Sequence, residues 1–319
     1  MSFTSDDPEL ARLDDADATV RRLAVLDVAD LEDEAYLPAL TRVLRHDAAA
    51  EVRAEAARVL AGWDDDEVVD ALANALLDAD ATVRENAAQS LSELKDPAVG
   101  ARLVPFASHA EPSVRAAALR ALRELRVPAA GEPALDALSS GDAGVRREAV
   151  AVLGWLRSEP ALPALSKLAT TDPDPQVRRA ATSALGFAPA DEVLPALLAA
   201  LRDEAWNVRE ESAATLAKLR PRAALDALCA SMDDDYWQVR LCAARALGRI
   251  GAREALPVLI AALAHPAGNL RKEAAIALGE VGHADGRPAL DVASADPDPE
   301  VRKAVRIALQ RLDLAEARA

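Results

Sequence analysis

The chain has 319 residues, with 37 Lys+Arg against 53 Asp+Glu for a formal charge of −16, and half of it is apolar. That much apolar content excludes a disordered acidic tail. An apolar fraction built on 76 alanines, with only nine aromatics, favours closely packed helices over a β-sandwich or barrel.

No run approaches the roughly 18 apolar residues of a membrane span. The segment from Met1 to Leu10 lacks the basic and apolar regions of a signal peptide. Two cysteines, Cys229 and Cys242, make no disulfide framework and fit a reducing cytosol, so the expected location is cytoplasmic. Only five of the basic residues are Lys, and Asp outnumbers Glu by 31 to 22. Such a balance matches an acidic surface kept soluble in a salt-rich, halophilic cytosol.

Along the chain a Val-Arg pair recurs at Val20, Val52, Val83, Val114, Val145, Val177, Val208, Val239 and Val301, and Leu270-Arg271 fills the one gap. The spacing is 31 or 32 residues throughout, which marks ten repeats. With each Val (or Leu270) numbered zero, position +8 is Val28 in the first repeat and Leu in all the others, from Leu60 to Leu309. Position +4 is Ala in eight repeats. Apolar residues at 0, +4 and +8 form one stripe of a helix, here called the second helix of the repeat. Position −1 is often Thr, Ser or Asn (Thr19, Thr82, Ser113, Asn207, Asn269), which predicts N-caps, and Thr82 with Glu85 has capping-box spacing. Gly62, Gly154, Gly186, Gly248 and Gly279 are expected to end these helices. Upstream, Pro38, Pro163, Pro195 and Pro257 open a second apolar stripe and predict a first helix in each repeat. The expected fold is all-α: a right-handed α-solenoid of ten helix pairs in a single array over residues 1–319, with the first and last repeats as caps.

The motif Asp172-Pro173-Asp174-Pro175-Gln176-Val177-Arg178-Arg179-Ala180-Ala181 and its counterpart Asp296-Pro297-Asp298-Pro299-Glu300-Val301-Arg302 resemble the HEAT-repeat family, specifically the short HEAT-like repeats of phycobilin (PBS) lyases. The resemblance covers about residues 8 to 312. It implies that Asp at −5 and Arg at +1 form a structural ladder along the turns. The members are Asp47, Arg53, Asp78, Arg84, Asp172, Arg178, Asp203, Arg209, Asp234, Arg240, Asp296 and Arg302, with Asp15 at the start. His109, Ser140 and His265 depart from Asp at −5, and the two histidines read as substituted turn caps rather than ligands.

Charge is segregated as well. Positions 0 to +9 hold 20 basic and 7 acidic residues, a net of +13 that leaves −29 on the rest of the chain. The second helices are expected to line a concave face that is much less acidic than its surroundings. On it, Arg58, Arg120 and Arg245 share position +6, and Arg22, Arg147, Arg179, Lys272 and Lys303 share +2. These eight either receive an acidic segment of a partner or balance acids elsewhere in the repeat.

Aromatic residues break the pattern at two positions. At −2, where other repeats have Ala, Gly or Pro, stand Trp206 and Trp237, with Tyr236 beside the latter. At +10, otherwise mostly charged, stand Trp155 and Phe187. Each pair reads either as an anchor for a partner or as local packing. Trp63, at an otherwise apolar position, reads as core.

Catalytic constellations are missing. Deoxyhypusine hydroxylase, an enzyme with HEAT-like repeats, holds iron through His-Glu pairs, but here the four histidines precede Asp47, Ala110, Pro266 and Ala284. No Gly-rich phosphate loop or Cys/His metal spacing occurs. Asp64-Asp65-Asp66 and Asp233-Asp234-Asp235 lack the EF-hand pattern and read as solvated turns. The expectation is therefore a non-catalytic scaffold or adaptor for a protein partner, with no cofactor and no metal. The alternatives are a bilin-lyase-like or chaperone subunit, which the family resemblance implies, and nucleic-acid binding, which the net charge opposes.

Overall fold

The computed structural model describes residues 8–316, which are helical and contain no strand. They group into two compact units, Met1–Leu156 and Arg157–Ala319.

The first unit contains α1 (Pro8–Arg12), α2 (Ala18–Ala29), α3 (Leu37–His46), α4 (Ala50–Val59), α5 (Asp66–Ala75), α6 (Ala81–Ser92), α7 (Pro112–Leu125), α8 (Gly131–Ala137) and α9 (Ala143–Trp155). The second contains α10 (Leu162–Thr171), α11 (Pro175–Ala184), α12 (Ala190–Ala200), α13 (Trp206–Leu219), α14 (Leu225–Ala230), α15 (Trp237–Ile250), α16 (Leu256–Ala262), α17 (Gly268–Val281), α18 (Arg287–Ala293) and α19 (Pro299–Glu316). Each repeat is a short first helix followed by a second helix that starts at position −2. The fourth repeat differs, because its first helix is two 3-10 segments, Pro97–Arg102 and Val104–Ser108. Pro97 and Pro105 lack the N–H that a regular helix would use. Gly100 lies so close to Val127 that a Cβ would come 2.2 Å from its Cγ2.

The repeat register decides burial. Position 0 is essentially sealed from Val52 through Val301, as is +8 from Leu60 through Leu278. Val20 and Leu309, in the first and last repeats, are only half-buried at these positions, while Val28 and Val301 in the same two repeats are sealed.

Three local expectations change. The N-cap is at −3, not −1. Asp17, Asp80, Asp142 and Asp174 cap α2, α6, α9 and α11 by accepting first-turn backbone N–H groups, and Asp298 accepts from Glu300 in the same way. The Thr, Ser and Asn residues at −1 already lie inside the first turn. The Thr82–Glu85 box is replaced by Asp80, which accepts from both Thr82 and Val83.

The glycines also divide by role. Gly248 and Gly279 are helix-interior residues where α15 meets α17 and α17 meets α19. A Cβ on either would lie 2.7 Å from the Cα of Ala277 or Ala308. The left-handed caps that end α15 and α17 come three residues later, at Gly251 (φ +72°) and Gly282 (φ +70°). Finally, Trp63 is half-buried rather than core. It lines an open cavity of about 480 Å³ in the first unit together with Glu34, Leu37, Pro38, Asp64, Asp65 and Glu67.

Candidate protein-interaction surface

The Asp–Arg motif builds the turns. In each intact rung the Arg at +1 donates through Nε and Nη2 to both oxygens of the Asp that opens the next repeat. Arg21 reaches Asp47 at 2.7 and 2.8 Å, and Arg53 reaches Asp78 at the same distances. In the second unit Arg178 holds Asp203, Arg209 holds Asp234 and Arg271 holds Asp296. The remaining Nη1 reaches back to carbonyls of its own turn, as from Arg53 to Asp47 and Ala48. Arg84, Arg209 and Arg302 repeat that return bond to Asp78, Asp203 and Asp296, and Arg240 reaches the Asp234 carbonyl through Nε. The −5 side chain also accepts from the N–H at −3, including Asp172 from Asp174. His109 and His265 accept there through Nδ1, so both histidines are turn caps.

The guanidinium bond from Arg53 holds Asp78 below the usual carboxylate range, and Arg271 does the same for Asp296. Burial alone would raise Asp47 and Asp234, but the bonds from Arg21 and Arg209 with those from backbone N–H outweigh it, and both also lie low.

The basic residues on the second helices form another ladder, one not anticipated from the sequence. Position +3 is Glu in four repeats, and each of these carboxylates is largely buried against a guanidinium from the preceding repeat. Arg245 grips Glu273 in a fork at 2.9 and 2.9 Å. Glu148, 7% exposed, takes Arg120 at 3.4 Å and Arg123 at 3.1 Å, with Arg147 at 3.8 Å. Arg22 lies 3.4 Å from Glu55, which also holds Arg58 at 2.6 Å, and Arg179 lies 3.4 Å from Glu211. The same register that exposed the Arg-Asp motif also shows these glutamates at Glu55, Glu148, Glu211 and Glu273. Their balancing partners are on neighbouring second helices rather than on the first helices.

The aromatic residues are placed differently from a simple side-by-side pair. Trp206 stacks on Tyr236, with centroids 5.3 Å apart and planes 11° from parallel. The guanidinium of Arg209 stands 5.8 Å above Tyr236 while holding Asp234. Tyr236, the N-cap of α15, is 45% exposed, and Trp237, its first helical residue, 37%. In the first unit Trp155 is 51% exposed, with Arg126 4.6 Å over its ring. Phe187, in the second unit, is half-buried in the 3-10 turn Leu185–Phe187.

A profile of HEAT repeats matches residues 37–107, 100–186, 167–247, 194–275 and 232–310. The chain belongs to the HEAT-repeat family. No curated protein sequence matches it. Among solved structures it is similar to an engineered protein (22% identity, TM-score 0.57, covering 96% of this chain and 98% of that one). It is also similar to YibA of Escherichia coli (20% identity, TM-score 0.53, 94% and 98% covered). A third similar chain is found in a Kap95:Nup1 complex (16% identity, TM-score 0.59), where this HEAT array spans 98% of itself but 56% of the other chain. These likenesses show the all-α solenoid fold. Among the described residues no helix is long and apolar enough to cross a membrane, and no group of three His, Cys, Asp or Glu side chains is placed to hold a metal ion.

Proposed function

We propose that this HEAT-repeat chain is a non-catalytic scaffold that binds a protein partner through the aromatic turn edge formed by Trp206, Tyr236 and Trp237. The observation that carries this reading is the exposed ring stack. Two adjacent repeats replace small turn residues with large aromatics: Trp206, half-buried, stacks on Tyr236, while Tyr236 and its neighbour Trp237 remain open to solvent. Rigid aromatic surface of this kind supplies interface energy at little entropic cost.

The single-array organisation over 1–319, the short PBS-lyase-type repeat and the cytoplasmic, salt-rich setting are parts of the same proposal, supported by the 31-residue register and the acidic composition. Trp155 and Phe187 are secondary candidates. Arg58, Arg120 and Arg245 are weaker ones, since their charges already meet buried glutamates. The same pairing, with the charge of −16, also weighs against a nucleic-acid cradle. The protein-partner reading agrees with the Kap95:Nup1 likeness, which is itself a protein complex.

The test is affinity capture from the native host with the wild-type chain and with a Tyr236→Ala, Trp237→Ala double variant. The expected result is loss of the captured partner with helicity and Tm nearly unchanged. A drop of several degrees in Tm, or unchanged capture, rejects the site.

A further inference from the structure

We infer that the turn between α8 and α9, where the ladder from Arg115 is interrupted at Ser140, binds a small monovalent anion such as chloride. The intact rungs define what belongs there. In them one Asp oxygen accepts from both Arg Nη2 and the backbone N–H at −3, and the other oxygen faces Arg Nε at 2.6 to 2.7 Å.

Ser140 reproduces the first oxygen only. Its Oγ accepts from the Asp142 N–H at 3.2 Å and from Arg115 Nη2 at 3.4 Å. Among the described residues, nothing takes the place of the second oxygen. As a result Arg115 Nε is, among the described residues, the one buried side-chain nitrogen or oxygen without a hydrogen-bond partner. A buried guanidinium nitrogen facing a missing carboxylate oxygen is a costly arrangement unless an anion or water meets it.

The neighbouring charge favours an anion. Arg146 lies under the same turn and donates to the carbonyls of Ser140 and Gly141 at 2.9 and 3.2 Å. The turn also carries one carboxylate, Asp142, which caps α9 by accepting from Val145 N–H at 2.9 Å, so two guanidiniums stand against one acid. Ser140 is only half-buried, so an ion can reach the rung from solvent. The other two interruptions differ, because His109 and His265 fill the space with a ring. The site therefore takes an ion of about the size and charge of one carboxylate group: chloride, bromide or formate.

The experiment compares wild type with Ser140→Asp, which restores the absent carboxylate, and with Asp78→Ser, which copies the interruption into the intact Arg53 rung. Melting is followed over a sodium chloride titration at constant ionic strength, and crystals are soaked in bromide. Binding to the folded state alone raises Tm with anion concentration. The chloride-dependent rise should fall by at least half in Ser140→Asp and should grow in Asp78→Ser, with formate also rescuing the latter. Bromide should give an anomalous peak within about 4 Å of Arg115 Nε, a little beyond hydrogen-bond range. If Ser140→Asp fails to fold, Asp78→Ser and the bromide peak decide the question. Equal chloride dependence in all three proteins with no bromide peak overturns the site and leaves water there. Protection by a glutamate-containing peptide, but not by chloride or formate, overturns it in favour of a partner's carboxylate.

Discussion

Gly248→Ala should destabilise the protein, although helix propensity alone predicts the reverse. Gly248 is interior to α15, where Ala is favoured over Gly by about 1 kcal/mol. The new Cβ would, however, lie 2.7 Å from Ala277 Cα, 2.8 Å from Ala277 Cβ and 2.9 Å from a Glu280 carboxylate oxygen. Carbon atoms pack best at roughly 3.5–4.0 Å, so α17 must retreat by about 1 Å. The obstructing atom is backbone, which no rotamer change can move aside. Overpacking of this kind costs about 1–3 kcal/mol, and retreat also weakens every contact along the two helices. Taking a cost near the upper end and subtracting the propensity gain leaves a net loss of about 1–2 kcal/mol. Gly279→Ala, which meets Ala308 Cα at 2.7 Å, should behave the same way. Gly186→Ala is the control, since its nearest neighbour, Thr215 Cγ2, is 3.5 Å away. Urea unfolding followed by circular dichroism should show lower midpoints for the first two variants and no loss for the third. An unchanged or raised midpoint for Gly248→Ala would refute the reasoning, because propensity and not interhelical distance would then be decisive.

The ladder makes further predictions. Asp78→Ala strands the forked guanidinium of Arg53 and should cost about 2 kcal/mol in the same assay, whereas an exposed pair such as Arg222–Glu254 should be nearly silent. His265→Asp should keep the N–H acceptance from Ala267 and supply Arg240 with a carboxylate, adding about 1 kcal/mol at pH 7. Burial and then Arg240 lower the His265 pKa, so the wild-type histidine favours its neutral form; stability from it is complete above the unfolded value and declines as pH falls below about 6.5. The depressed aspartates Asp47, Asp78, Asp234 and Asp296 contribute above the ordinary carboxylate range, and that contribution is lost only as pH falls through their lowered values, so acid melting curves should turn down below about pH 4. Burial pushes the Cys242 thiol up to about 11, so at pH 8 iodoacetamide should label Cys229 first by mass spectrometry.

The repeat number and the helix pairs were legible because side chains at 0 and +8 must be buried in every unit, so their spacing survives any variation elsewhere. Cap positions were less so. Thr at −1 and Asp at −3 are both good capping residues by type, and only the backbone shows which of them stands outside the first turn. Gly248 and Gly279 looked like helix ends because glycine serves both as a left-handed cap and as a point of close approach. Sequence alone does not separate those two uses. The aromatic edge was visible as an exception to the repeat. Its geometry was not, since stacking of Trp206 on Tyr236 rather than alignment with Trp237 depends on rotamers chosen around Arg209. The glutamates at +3 had a readable register, but an acidic residue on a second helix carries no label saying which neighbouring arginine it meets.

The charge of −16 takes its structural meaning from where each carboxylate stands. Aspartate predominates in the turns, where a short side chain at −5 can accept the N–H two residues on and an arginine fork at once. Glutamate occupies +3, where a longer arm is needed to cross to the preceding second helix. Both sets are low in exposure and bound to arginine, whose planar fork suits two parallel bonds better than the point charge of lysine. This explains the scarcity of lysine without reference to any partner. Other acids, such as Asp233 and Asp235 on either side of the ladder residue Asp234, are exposed. A functional reading of the negative surface therefore turns on such acids, and Asp235 directly precedes Tyr236 and Trp237 of the proposed partner edge.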